Sequence, residues 1–307
     1  MTLAIHINST APFTIRNKGR PYFIEDFDLL STILSALMWR EKNGHIKLYT
    51  DLTGYDHYAS LDLLDLWDGG IDVAVVENIP DTINQQIFWA AAKIFALRNE
   101  AAPIAMIDTD LIVWKNLASE LDTKKFVALH REELMDDWYL HSGLLKKRCD
   151  YQFDLKWDWT ALPCNMALAY FSDEDFKKHY SDCSIDFMEG NCEYPMEMVS
   201  QMVFAEQRMV SMCAVKMNIP IHHLLDHPYQ ANNNHFTHIW GGKDVARNDP
   251  RQRKLLCTAL LGKIEKHFPS YHKKICSLEA LQQYHQPHIS PVAFAAMPCF
   301  AGATPSM

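Results

Sequence analysis

Asp108 and Asp110 stand two residues apart in Pro103-Ile-Ala-Met-Ile-Asp-Thr-Asp-Leu-Ile-Val-Trp114, where the residues on either side are almost all apolar. Such a run reads as a strand buried on both faces in a parallel sheet. Bare carboxylates do not belong inside it. The strand is therefore expected to end at Asp108 and to release the Asp-Thr-Asp turn at the carboxyl edge of the sheet, where open α/β folds bind their ligands. Residues i and i+2 of near-extended chain point the same way. Two converging carboxylates repel unless one is protonated or a cation lies between them, and a divalent metal is the economical solution. Asp-x-Asp is short and also arises as a solvated turn; the apolar runs on both sides favour a metal or ligand site.

A second stretch carries compatible chemistry. Five histidines fall between His222 and Lys243, and the segment closes with His238-Ile-Trp-Gly241-Gly242-Lys243. A histidine, two glycines that let backbone approach a ligand closely, and a lysine could clamp a diphosphate and a metal. Alone, the same residues are equally a structural histidine followed by a turn.

Taken together, in this order and at this separation, the two stretches resemble metal-dependent glycosyltransferases of the GT-A fold. Most similar are the glycogenin-like and bacterial lipopolysaccharide galactosyltransferase families and related capsular-polysaccharide-type enzymes. The resemblance implies that Asp108, Asp110 and His238 ligate Mn²⁺ or Mg²⁺, and that Lys243 contacts the diphosphate of a nucleotide sugar. It extends to Lys93, at a place where those families often carry a basic residue near the donor diphosphate; a stem that packs while its amine snorkels is the competing account. Asn165 occupies the place of the family's Asn-Ala-Gly strand, with Met-Ala here in place of Ala-Gly. Glu206-Gln207 resembles an acidic-Gln pair on a late helix, which makes Glu206 a candidate for the sugar or acceptor hydroxyls. The implied activity is transfer of a sugar from a nucleotide-diphosphate sugar to a hydroxyl acceptor, and most such families retain anomeric configuration. Two alternatives stand beside it: a haloacid-dehalogenase-like phosphatase, and a non-catalytic nucleotide-sugar-binding subunit of the same fold. Trp138, Tyr139, Trp157 and Trp159 could stack on an acceptor sugar, although packing is the commoner role for such side chains.

The elements that must position these groups alternate. Leu3 to Ile7, Ile46 to Thr50 and Ile71 to Val76 read as strands, joined by helices over residues 25–41 and from Tyr58 to Trp67, with a long loop from Asn8 to Pro21. An apolar helix from Asn84 to Arg98 precedes the strand that delivers Asp108. Phe126–His130 and Met166–Phe171 read as later strands, Pro195 to about Val215 as a helix, and Asp249-Pro250 as the start of another. This pattern predicts an α/β fold, a GT-A-like (Rossmann-like) and mostly parallel central sheet flanked by helices. One domain is expected over residues 1–285, with 286–307 as a tail.

Composition narrows the partners. The 307 residues are 48% hydrophobic, enough for a sizeable core. A formal net charge of −9 argues against non-specific nucleic-acid binding, which needs a basic surface. No stretch approaches the apolar length of a membrane span. Eight scattered cysteines without a Cys-x-x-Cys pair, in a chain that opens without a recognisable export signal, are expected to be reduced thiols, and the cytoplasm is the consistent compartment.

Overall fold

A computed structural model describes residues 2–195, 198–227, 230 and 233–284. The first part of the chain runs β1 (Ala4–Asn8), α1 (Ala11–Arg16), α2 (Asp26–Lys42), β2 (Ile46–Thr50), α3 (Leu52–Ser60), β3 (Ile71–Asp72), α4 (Ala74–Glu77), α5 (Ala91–Asn99), β4 (Ile104–Ile107) and β5 (Leu111–Val113). It continues through α6 (Ala118–Leu121), β6 (Phe126–Ala128), β7 (Leu168–Phe171), α7 (Glu174–Met188) and α8 (Met198–Val203), then through a widened π-helical turn, Phe204–Arg208, into α9 (Met209–Lys216). Last come β8 (Ile221–His223), β9 (Phe236–His238), α10 (Gly242–Asn248), α11 (Pro250–His267), α12 (Pro269–Ile275) and α13 (Glu279–Gln282). The expected tail lies outside the described residues.

These elements fall into two compact units. One comprises the described residues of Met1–Tyr22, Asn43–Asp108 and Asn116–Pro228, the other those of Phe23–Lys42, Thr109–Lys115 and Tyr229–Met307. The first holds a seven-stranded sheet in the order β3-β2-β1-β4-β7-β6-β8. Neighbours are parallel except at β7, which runs antiparallel to both β4 and β6. The mostly parallel α/β sheet expected from the alternation is thus the one observed. Every residue of β4 and β7 is buried, as a strand covered on both faces requires. Alternate residues Ile104, Met106, Ala169 and Phe171 join one core with Ile94 of α5, Phe176 and Tyr180 of α7 and Val210 of α9.

Local expectations need revision where short-range chemistry competes with the hydrophobic period. The stretch expected as a loop from Asn8 contains α1, with a proline in its first turn. Asp51 starts α3 earlier than expected by accepting the Gly54 N–H at 2.8 Å, and it also accepts from the Thr10 hydroxyl at 2.9 Å. Strand β3 closes after two residues, because the Asp72 carboxylate accepts the Val75 N–H and turns the chain into α4. The helix expected from Asn84 begins only at Ala91. Pro195 is not the first helical residue, since α8 begins at Met198. The helix α7, whose Asp173 cap accepts the Phe176 N–H, has no counterpart in the sequence reading.

In the second unit β5 and β9 form an antiparallel pair with Leu111 opposite His238. Phe27, Leu30, Leu34, Leu37 and Met38 are all buried, as their spacing on α2 predicts, and so are Leu256, Leu260 and Ile264 of α11, which packs on α2. The Ser35 hydroxyl donates to the Leu111 carbonyl at 2.6 Å and ties β5 to α2. Asp249 caps α11 as expected, accepting from Arg251 N–H at 2.8 Å. Arg253 then pairs with Glu25 at 2.6 Å and Asp26 at 2.9 Å, closing the start of α2 onto α11.

Phe171 is fully buried, with ring centroids 4.9 Å from Phe126, 5.7 Å from Phe176 and 6.0 Å from Tyr180. Phe171→Ala is expected to cost about 3–5 kcal/mol through lost burial and a residual cavity. In urea titrations the midpoint should fall with the slope unchanged, and a loss under 1 kcal/mol would show that this aromatic cluster does not organise the sheet.

Candidate functional site

In the first unit Asp108 follows the last residue of β4, and its N–H donates to the Ala167 carbonyl at 2.7 Å, extending the β4–β7 ladder to this position. The predicted strand end is therefore where the carboxylate emerges. Lys93, on α5, places its ammonium 2.5 Å from Asp108 Oδ1 and 2.9 Å from Glu206 Oε1. It does not snorkel; it bridges two carboxylates. Burial pushes the Lys93 amine toward neutrality, but Asp108 and Glu206 more than compensate, so its pKa is raised and it stays charged. Glu206 is buried in the π-helical turn. Tyr180 donates to the Glu206 carbonyl at 2.7 Å and Ser184 to the Ala205 carbonyl at 2.8 Å, so backbone groups that the wide turn frees are engaged by α7. Burial raises the Glu206 pKa above the usual carboxylate range, Lys93 opposes the shift and Asp108 adds to it.

Asn165 lies just before β7. Its side-chain amide donates to Glu132 at 2.8 Å while its carbonyl oxygen accepts the Ala167 N–H at 3.0 Å, so the side chain is held at both ends. Gln207 accepts from the Tyr139 hydroxyl at 2.5 Å. Tyr139 and Trp157 are buried, and Trp159 stacks on Phe204 at 5.6 Å. These three aromatics are packing residues.

In the second unit Asp110 directly precedes β5. The ladder continues past the strand, with the Asp110 carbonyl accepting the Ile239 N–H at 3.1 Å. That register brings His238 Nε2 to 3.7 Å from Asp110 Oδ1. Lys243, in the first turn of α10, lies 2.9 Å from Asp110 Oδ2 and 2.9 Å from Asp28 Oδ1. Burial works against the Lys243 charge and the two carboxylates outweigh it, so its pKa is raised. Gly242 donates its N–H to the Ile239 carbonyl at 2.8 Å and Gly241 has φ −74°. Neither needs glycine for its backbone angles. A Cβ on Gly242 would meet Ile239 only at an ordinary 3.6 Å.

The sequence reading named Lys93, Asp108, Glu206, Asp110 and Lys243 of these two networks. It missed Asp28 and Arg247, which lies 3.6 Å from Asp28. One acidic residue among Glu25, Asp26 and Asp28 at the start of a helix looks like ordinary dipole complementation, and no sequence signal separates it from its neighbours.

Fold and networks together define a mixed α/β protein whose strand ends and following turns carry paired carboxylates and lysines. Residues 14–278 match a family described as "Family of unknown function (DUF6734)", and the chain belongs to that family. No curated protein matches the sequence. Among solved structures, the chain is similar to "PaToxG Glycosyltransferase", with 13% identity and a TM-score of 0.40 over 92% of this chain and 85% of that one. It is also similar to mouse xyloside xylosyltransferase 1, with 12% identity and a TM-score of 0.35 over 75% of this chain and 89% of that one. For the glycosyltransferase GlyE of Streptococcus pneumoniae the identity is 14% and the TM-score 0.33, over 66% of this chain and 42% of that one. Among the described residues no helix is long and apolar enough to cross a membrane.

Because the Glu206 pKa is raised in the folded protein, folding takes up a proton between the unfolded value, about 4.3, and the higher folded one. The resulting stabilisation is fully present below the unfolded value and is lost as pH rises through the folded value. Glu206→Gln should remove this slope from unfolding free energies measured in urea between about pH 4 and pH 8. Superimposable pH profiles for the two proteins would contradict it.

Proposed function

We propose that this chain is a metal-dependent glycosyltransferase that moves a sugar from a nucleotide-diphosphate sugar to a hydroxyl acceptor. The observation that carries the reading is Asp110 in the second unit, a buried carboxylate with an imidazole at 3.7 Å and an ammonium at 2.9 Å. Asp108 is joined to it through Thr109 alone, so chain connectivity keeps the two carboxylates near each other. Carboxylate oxygens with one imidazole nitrogen are a donor set suited to Mn²⁺ or Mg²⁺. Asp108, Asp110 and His238 would hold the ion.

Breaking a sugar–phosphate bond leaves negative charge on the departing diphosphate, and a divalent metal bound here supplies Lewis-acid neutralisation of that charge. The chain's own residues do the rest. Lys243 offers a fixed ammonium to the diphosphate, and the backbone at Gly241 and Gly242, without side chains, allows close approach. Lys93 serves the donor side in the same sense. Glu206 is a carboxylate whose charge Lys93 partly neutralises, suited to accept hydrogen bonds from sugar or acceptor hydroxyls. Asn165, clamped by Glu132, holds the backbone ahead of β7 rigid beside the strand end. By resemblance the transfer retains configuration.

Thermal shift with a panel of nucleotide sugars, with and without Mn²⁺, tests this on the native protein and on Asp110→Ala. A ligand at a hundred times its dissociation constant should add about 2.7 kcal/mol. Metal-dependent stabilisation by one or a few UDP- or GDP-sugars, absent in the variant, is the expected result. No shift with any of them in folded, metal-supplied protein sinks the proposal, and turnover of a simple phosphomonoester would replace it with the phosphatase reading.

A further inference from the structure

A second group of metal-ligating side chains lies wholly within the first unit and has no part in the proposed transfer. His179 and Cys183 are four residues apart on α7, hence on one face of the helix. Cys213, on α9, completes the set, and the three ligand atoms all lie within 4.8 Å of one another. Both nitrogens of His179 are close to Cys183 Sγ, at 3.9 Å for Nδ1 and 3.8 Å for Nε2. Zinc–sulfur and zinc–nitrogen bonds of about 2.3 and 2.05 Å at a tetrahedral angle separate sulfur from nitrogen by about 3.6 Å, and two sulfurs by about 3.8 Å. The Cys183–His179 spacing is close to the sulfur–nitrogen separation of such a site.

The surroundings suit such an ion. Lys216 Nζ lies 3.4 Å from His179 Nε2. Asp154 holds the same ammonium at 2.6 Å, so Lys216 stays paired when an ion takes the imidazole lone pair. Cys213 is buried while His179 and Cys183 are half-buried, so the solvent side of the site is the side of His179 and Cys183. Aliphatic or aromatic side chains at these three positions would fill the α7–α9 contact without three converging soft donors.

We propose that His179, Cys183 and Cys213 bind a zinc-type divalent ion that ties α7 to α9. Two thiol protons pass to solvent as two metal–sulfur bonds form; no electron is transferred. The two thiolates balance the charge of the ion.

Cobalt reports on the site directly. Chelator-stripped, fully reduced protein, titrated with Co²⁺, should develop the near-ultraviolet absorption of thiolate-to-cobalt charge transfer, saturating at one equivalent and abolished by Zn²⁺, which tetrahedral thiolate sites hold more tightly than cobalt. Cys183→Ser, at the more accessible sulfur, should lose about half of that band, one of two thiolates, with an unchanged far-ultraviolet circular dichroism spectrum. Cys149→Ser, an exposed cysteine elsewhere, and Asp110→Ala should both keep it. The Asp110 variant separates this site from the proposed transfer site, which has no sulfur. Absence of the band in reduced native protein, an undiminished band in Cys183→Ser, or a Cys183–Cys213 disulfide in the isolated protein would each overturn the proposal.

Discussion

Neutralisation of buried carboxylates by lysine is the constraint on which both networks rest. In each unit one ammonium sits between two acidic side chains, Lys93 between Asp108 and Glu206 and Lys243 between Asp110 and Asp28. At 2.9 Å and an effective dielectric constant near 20, the gross attraction of one such pair is about 6 kcal/mol. Taking each ion out of water costs several kcal/mol, so a single pair roughly breaks even. The second carboxylate is what makes the lysine's burial favourable, and in the second unit Arg247, 3.6 Å from Asp28, adds a further cation to the network.

Holding those charges in register falls to two irregular features. The π-helical turn between α8 and α9 shifts Glu206 out of the helical period, and two hydroxyls from α7 engage the carbonyls of that turn. In the other unit the short β5–β9 ladder does the comparable work: with Leu111 opposite His238, the preceding Asp110 is placed beside the imidazole, and Ser35 fixes the strand by its Leu111 carbonyl. A one-residue slip in that register would turn His238 to the other face of the strand.

Much of this is legible in the sequence. The β4 run could be read because a strand covered on both faces must be apolar throughout, so a carboxylate marks its end, and α2 could be read because five buried residues recur at the helical period. Elements failed to show where a side chain overrides periodicity. Asp72 ends β3 early by capping, and Asp51 starts α3 early in the same way. Helix α7 was missed although Asp173 caps it, because Lys177 interrupts its apolar face; in the fold that lysine is buried, donating to the Leu97 carbonyl at 3.2 Å. Asp28 was invisible for a different reason. Its role depends on a partner 215 positions later in the chain, a separation that leaves no local pattern.

The doubling of carboxylates also bears on how the proposed transfer site would respond to a cation. A lysine held by one acid alone would be released when a metal took that acid, and would gain the freedom of a long side chain at the moment it is needed in place. Lys243 keeps Asp28 if Asp110 turns to an ion, and Lys93 keeps Glu206 if Asp108 does. Each ammonium then gives up one partner while remaining anchored by the other, with donors open toward an incoming diphosphate. On this account Asp28 and Glu206 hold the lysines in position whether or not an ion is bound, and the turn carboxylates Asp108 and Asp110 are the pair that changes partners.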